Sequence, residues 1–129
     1  TIIEKIRGIN MVRRKKLGKD TPMLTTAIVA EMLGITPDRL RTYDSEKLIH
    51  THRVKTGQIQ KRLYTENDLE WLLCLRSLVK DHKMSISSIK ILLQILSLNP
   101  SMVLPKNEIG GILYDMSQNP NFKPVVKNF

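Results

Sequence analysis

The chain has 129 residues, 41% of them hydrophobic, and a formal net charge of +9. That length suits one domain plus tails around a core of modest size. The single cysteine, Cys74, excludes an intramolecular disulfide and fits a reducing compartment, and no apolar run approaches the roughly 20 residues of a membrane-spanning helix.

The charge is unevenly placed. Residues 1–20 carry net +5 and residues 21–64 net +3, whereas 65–98 are neutral and 99–129 carry +1. A positive field gathered on one half suits a polyanionic partner better than solubility alone requires. Thr1 to Gly18 contains Ile2, Ile3, Ile6, Ile9 and Val12, spaced as in one amphipathic helix. Arg13, Arg14, Lys15 and Lys16 interrupt it as a basic block. Residues 1–22 therefore read as a basic arm, suited to phosphates or a minor groove and equally to a solvated tail. The first 20 residues lack the continuous apolar core of a signal peptide.

Thr21-Pro22 breaks the chain. Thr25 or Thr26 then makes a good N-cap for a first helix holding Val29, Ala30 and Leu33, and the exposed amides at its start suit a phosphate. Gly34 takes the turn, where a positive φ costs glycine nothing. Thr36 caps a second helix with Pro37 at its first position. Leu40 and Tyr43, three apart, share the inward face, which forces Arg39 and Arg41 outward with Thr42 nearby. Two short helices meeting at a tight turn form the pattern of a helix-turn-helix, whose second helix is presented to the major groove.

From Asp44 the chain turns through Ser45-Glu46-Lys47, and Leu48-Ile49 plugs the core. His50 to Tyr64 reads as a hairpin wing. One arm holds Thr51, Arg53 and Val54, the tip is Lys55-Thr56-Gly57-Gln58, and the return arm holds Ile59, Leu63 and Tyr64. Lys55, Lys61 and Arg62 are its candidate backbone contacts. Thr65-Glu66-Asn67-Asp68 opens a third helix with a cap-like pattern and acids in its first turn; Trp71 on it is expected near the wing, and His82-Lys83 ends it. Ser85 caps a fourth helix whose apolar residues, Ile86 to Leu98, exceed one stripe. Ile91, Leu92, Ile95 and Leu96 are the candidates there for dimer or packing contacts. Prolines at 100, 105, 120 and 124 forbid one long closing helix. A short element within 106–116, burying Ile109, Ile112, Leu113 and Met116, is expected instead.

Taken together, these motifs resemble the N-terminal domain of the MerR family of bacterial transcription regulators. In that family the second helix reads roughly Leu-Arg-aromatic-Tyr-acid. A Gly-Leu-Leu-like corner, an arginine, a glycine-containing wing, Arg-x-Tyr and a Ser/Thr-capped helix follow. Here the matching residues are Leu40, Arg41, Tyr43, Asp44, Lys47-Leu48-Ile49, Arg53, Gly57, Arg62, Tyr64 and Thr65. The resemblance runs from about Leu24 to Leu98, and within the family it is to small heat-shock-repressor-like or nutrient-regulator-like members. It implies a mainly α winged helix-turn-helix with a small β-hairpin wing and two following helices. It divides the chain into a basic arm (1–22), a DNA-binding domain (23–98) and a tail for dimerisation or docking (99–129). It also implies double-stranded DNA as partner, a homodimer on a two-fold-related operator, RNA polymerase as a further candidate partner, and a place in the bacterial cytoplasm with the nucleoid. The residues it marks for DNA are Thr25, Thr36, Arg39, Arg41, Thr42, Tyr43, Arg53, Lys55, Lys61, Arg62 and Tyr64, with Tyr43 mainly packing.

Three departures stand out. Asp38 replaces a frequently basic residue, Thr42 a frequent tyrosine, and the stretch from Gly57 to Tyr64 is longer than the usual wing. Nor does the sequence after Leu98 have room for the family's long dimer coil, which leaves open a different dimer contact or a chain cut short. Chemistry for catalysis is missing: His50, His52, His82 and Cys74 do not form a converging metal-ligand set, no glycine-rich phosphate loop follows a strand, and no cofactor is implied. The alternatives are an architectural or excisionase-like DNA binder, and a protein-interaction adaptor working through the apolar helix at 85–98.

Overall fold

A computed structural model describes residues 19–99 and 101–122. The basic block Arg13–Lys16 and the isoleucine-rich stretch before it lie outside the described residues. The elements are β1 (Leu24–Thr25), α1 (Thr26–Leu33), α2 (Pro37–Ser45), β2 (His52–Thr56), β3 (Ile59–Tyr64), α3 (Glu66–Lys80), α4 (Ile86–Leu98) and α5 (Glu108–Ser117). They pack as two units, one reaching Leu73 and the other starting at Cys74, so that α3 contributes to both. The fold is a winged helix-turn-helix carried by helices and a small antiparallel sheet.

In the first unit each helix starts where its cap dictates. Thr25 accepts from the Ile28 amide to open α1, and Thr36 accepts from the Arg39 amide to open α2 with Pro37 behind it. Gly34 ends α1 at φ 68°, and the Ile35 amide reaches back to the Ala30 carbonyl at 3.0 Å. Val29, Ala30 and Leu33 of α1 and Leu40 and Tyr43 of α2 are all buried. The corner after α2 puts Lys47 at φ 60° and buries Leu48 and Ile49. A reciprocal cap opens α3: the Asp68 amide donates to the Thr65 hydroxyl at 3.0 Å, and the Thr65 amide donates to the Asp68 carboxylate at 2.9 Å. This is the capping-box arrangement, with Asp in the Glu position.

The sheet runs β1-β3-β2. Its hairpin turns on two residues, Gly57 and Gln58, with Thr56 opposite Ile59, so the tip is tighter than the four residues expected. Gly57 has φ 65°, as a two-residue loop with glycine in its first central position requires. The strand β1 was not legible in the sequence: two residues carry no alternation of their own. Its register, Leu24 with Tyr64 and Thr25 with Leu63, comes wholly from β3. Trp71 also departs from expectation. It is buried and its indole N–H donates to the Leu48 carbonyl at 2.6 Å, so it fastens the corner after α2 rather than covering the wing.

In the second unit the buried apolar residues are Cys74, Leu75 and Leu78 of α3, Ile89 and Leu96 of α4, and Ile112, Leu113 and Met116 of α5. Ser85 caps α4, accepting from Ser88, and Asn107 caps α5, accepting from the Gly110 amide. A Cβ on Gly110 would fall 1.7 Å from the Pro105 carbonyl oxygen, whereas one on Gly111 would meet nothing within 4 Å. The apolar width of α4 is only partly absorbed. Leu96 is a core residue and Leu92 is half-buried, but Ile91 stays 57% exposed and Ile95 is exposed beside it. Among the described residues no helix is long and apolar enough to cross a membrane.

Candidate nucleic-acid interface

One open cleft in the first unit is lined by Thr25, Thr26, Ala27, Pro37, Arg41, Arg53, Gln60, Lys61 and Arg62. The first three residues lie at the start of α1, and Pro37 opens α2. The start of α1 therefore reaches this concavity with first-turn amides, at Thr26 and Ala27, that the helix itself does not use, whereas α2 reaches it through Pro37, which has no N–H. The four cations come from the outer face of α2 and from both strands of the wing. An arrangement of free amides, arginines and a lysine around one cleft is matched to anionic oxygen.

The cations fall into two kinds. Arg39, Lys55 and Lys61 are exposed and make no ion pair among the described residues. The arginines Arg41, Arg53 and Arg62 are held by acids of α2. Arg41 Nη1 lies 2.6 Å from Asp38 Oδ1, one turn back on the same helix. Arg62 Nε lies 3.0 Å and Arg53 Nη2 3.6 Å from Asp44 Oδ2. The Thr51 hydroxyl donates to the other Asp44 oxygen at 3.4 Å. Asp38, which stands where the family pattern frequently has a basic residue, is partnered to a neighbouring cation.

The sequence-marked residues divide accordingly. Arg41, Arg53, Lys61, Arg62 and Thr25 meet in the cleft, and Arg39 and Lys55 lie on exposed surface outside its lining. Thr25 and Thr36 spend a hydroxyl lone pair on their caps. Thr42 is exposed and donates its hydroxyl to the Asp38 carbonyl at 3.1 Å. Tyr43 is 1% exposed and packs in the core, as its inward face implies. Tyr64, marked for the wing, is 0% exposed and is a core side chain as well. Burial pushes the Tyr64 phenol above its ordinary value of 10.0, opposed by the Thr26 side chain and Arg62.

Sequence reasoning missed Ala27 and Pro37 in the cleft and the clamp made by Asp44. The Thr-Thr pair at 25–26 signalled a helix start, but not which cleft that start would face. Asp44 carried a signal only as the acid of the family pattern. Among the described residues no group of three or more His, Cys, Asp or Glu side chains is placed to hold a metal ion.

A family model described as MerR HTH family regulatory protein matches residues 24–96, more than half of the chain. No curated protein and no solved structure matches it.

Proposed function

The chain belongs to the MerR family of helix-turn-helix regulatory proteins, a family of DNA-binding transcription regulators, and from that premise we propose that it binds double-stranded DNA sequence-specifically as a homodimer. In this reading residues 23–98 form the DNA-binding domain. The helix α2 enters the major groove with Arg39, Arg41 and Thr42 on its outward side. The wing lies along the flanking backbone with Arg53, Lys55, Lys61 and Arg62.

The single observation that carries the reading is the cleft where the starts of α1 and α2 converge with Arg41, Arg53, Lys61 and Arg62. A phosphate seated there would receive amide donors from the start of α1 and charge-assisted donors from the side chains. Such contacts fix register on the duplex, while the exposed face of α2 supplies base contacts. Ile91 and Ile95, left exposed on α4, support a second subunit as partner, with residues 99–129 as a dimerisation or docking segment. RNA polymerase is the natural further partner of a bound transcription regulator.

The test is a fluorescence-anisotropy titration against a randomised duplex pool at two salt concentrations, followed by sequencing of the bound fraction. Enrichment of an inverted or direct repeat supports the reading and gives the subunit spacing. Binding that collapses with salt and enriches no sequence is charge attraction alone and overturns specific recognition.

A further inference from the structure

Resting on the DNA-binding reading of this cleft, we propose that Asp44 is a positioning residue that sets sequence discrimination, by holding the wing arginines in one geometry against the recognition helix. Register makes such a residue necessary. Arg53 of β2 and Arg62 of β3 are direct cross-strand partners, and like charges directly opposite destabilise a strand pair. No acid of the wing itself lies between them. The counter-charge comes from α2, where the Asp44 side chain is only 15% exposed.

The geometry is that of a clamp. One carboxylate oxygen lies 3.0 Å from Arg62 Nε and 3.6 Å from Arg53 Nη2, and the other accepts from Thr51 at 3.4 Å. One acid thus ties β2, β3 and the strand approach at Thr51 to the last turns of α2. A guanidinium has five N–H donors in a fixed fork. Arg62 Nε meets the acid as a charge pair, without a hydrogen bond, and its two terminal nitrogens lie outside that contact for a phosphate. Lys55 and Lys61 have no such tether among the described residues and act as untethered charge.

Asp44 places a negative charge beside the surface that meets a polyanion. Neutralising it should raise the general attraction to any duplex while releasing the arginines from their common geometry. The two effects have opposite signs on non-specific and specific binding. A residue that merely supports the fold would weaken both together.

The experiment uses the full chain, the duplex enriched from the random pool and a scrambled duplex of equal length and composition, compared by anisotropy at one fixed salt. For Asp44→Asn the expected result is a fall of about tenfold or more in affinity for the enriched duplex, with unchanged or tighter binding to the scrambled one. Asp44→Glu, which keeps the carboxylate, should recover most of the lost ratio. A parallel loss on both duplexes, or an unchanged ratio, overturns the proposal. Should Asp44→Asn not fold, Arg62→Gln and Arg53→Gln decide. The closer partner, Arg62, should cost the larger part of the ratio, and equal costs overturn the proposal. A wild-type chain that enriches no duplex fails the DNA-recognition reading itself, an outcome separate from failure of the Asp44 clamp.

Discussion

The indole of Trp71 and the carbonyl of Leu48 are joined by a 2.6 Å hydrogen bond between residues 23 apart in the chain. It fastens the corner that follows α2 to the helix α3. Trp71→Phe keeps most of the ring volume but leaves the Leu48 carbonyl without this donor. A buried carbonyl stripped of its partner costs roughly 1–3 kcal/mol. Urea unfolding followed by circular dichroism should show that loss with an unchanged denaturant slope, since the surface exposed on unfolding is the same.

Gly110 and Gly111 should respond oppositely to alanine. At 110 the new Cβ would meet the Pro105 carbonyl oxygen at 1.7 Å, with the carbonyl carbon and nitrogen close behind. That contact is with backbone, so α5 or the segment before it must shift, and the melting temperature of Gly110→Ala should drop markedly. At 111 there is open space, and replacing a glycine inside a helix removes unfolded-state freedom. Gly111→Ala should therefore stabilise, by roughly 0.5–1 kcal/mol. Paired thermal melts of the two variants check both directions.

Asp38 is exposed and pairs with Arg41 one turn along α2. An exposed pair of this kind adds little to stability, so Asp38→Ala should melt close to the wild type. It removes a negative charge from the outward face of the recognition helix and frees Arg41 from its tether. Binding to a scrambled duplex should tighten, and the anisotropy titration at low salt is where the gain will be largest.

Lys61 and Arg41 both line the cleft, but among the described residues only Arg41 of the two has an ion-pair partner. Lys61→Ala should weaken binding to all duplexes alike and reduce the magnitude of the salt slope by about 1, the signature of one lost phosphate contact. Arg41→Ala should weaken the enriched duplex more than the scrambled one. Titrations over a salt series separate the two patterns, and equal behaviour of both variants would misplace α2 in the groove.

Tyr64 makes a prediction at alkaline pH. Burial raises its phenol above the ordinary 10.0, so the folded chain holds this proton more tightly than the unfolded chain. Its contribution to stability is full below pH 10 and declines as pH rises from there through the folded-state value. Tyr64→Phe has no proton to lose. Its stability should fall less steeply than wild type above pH 10, measured by chemical unfolding at a series of pH values.

Much of this architecture is written locally in the sequence. Thr25, Thr36, Thr65, Ser85 and Asn107 are residues whose short oxygen-bearing side chains compete for backbone amides, which marks helix starts wherever they precede an apolar run. Gly34 and Gly57 sit at φ 68° and 65°, conformations other residues adopt only at a cost. The inward set Val29, Leu33, Leu40 and Tyr43 follows from helical spacing alone, and the exclusion of Arg39 and Arg41 from the core follows with it. The order of those signals along residues 24–96 is also what marks the family.

What the tertiary structure decided are the relationships between distant residues. The strand β1 exists only because β3 offers it an edge. Tyr64 is a core residue because its strand position faces inward, a consequence of a register set by the two-residue turn at Gly57. Trp71 found Leu48 rather than the wing, and Gly110 is required by a proline five residues away that no periodicity connects to it. The acid clamp is the clearest case. Asp44, Arg53 and Arg62 are separated by nine residues each in the chain and reveal no mutual spacing rule. They meet because α2 and the hairpin are brought together by burial of the apolar faces that the sequence did specify. Short-range preferences act through bonds and neighbours and can be read in order, whereas the pairing of charges across elements depends on where the packed core leaves them.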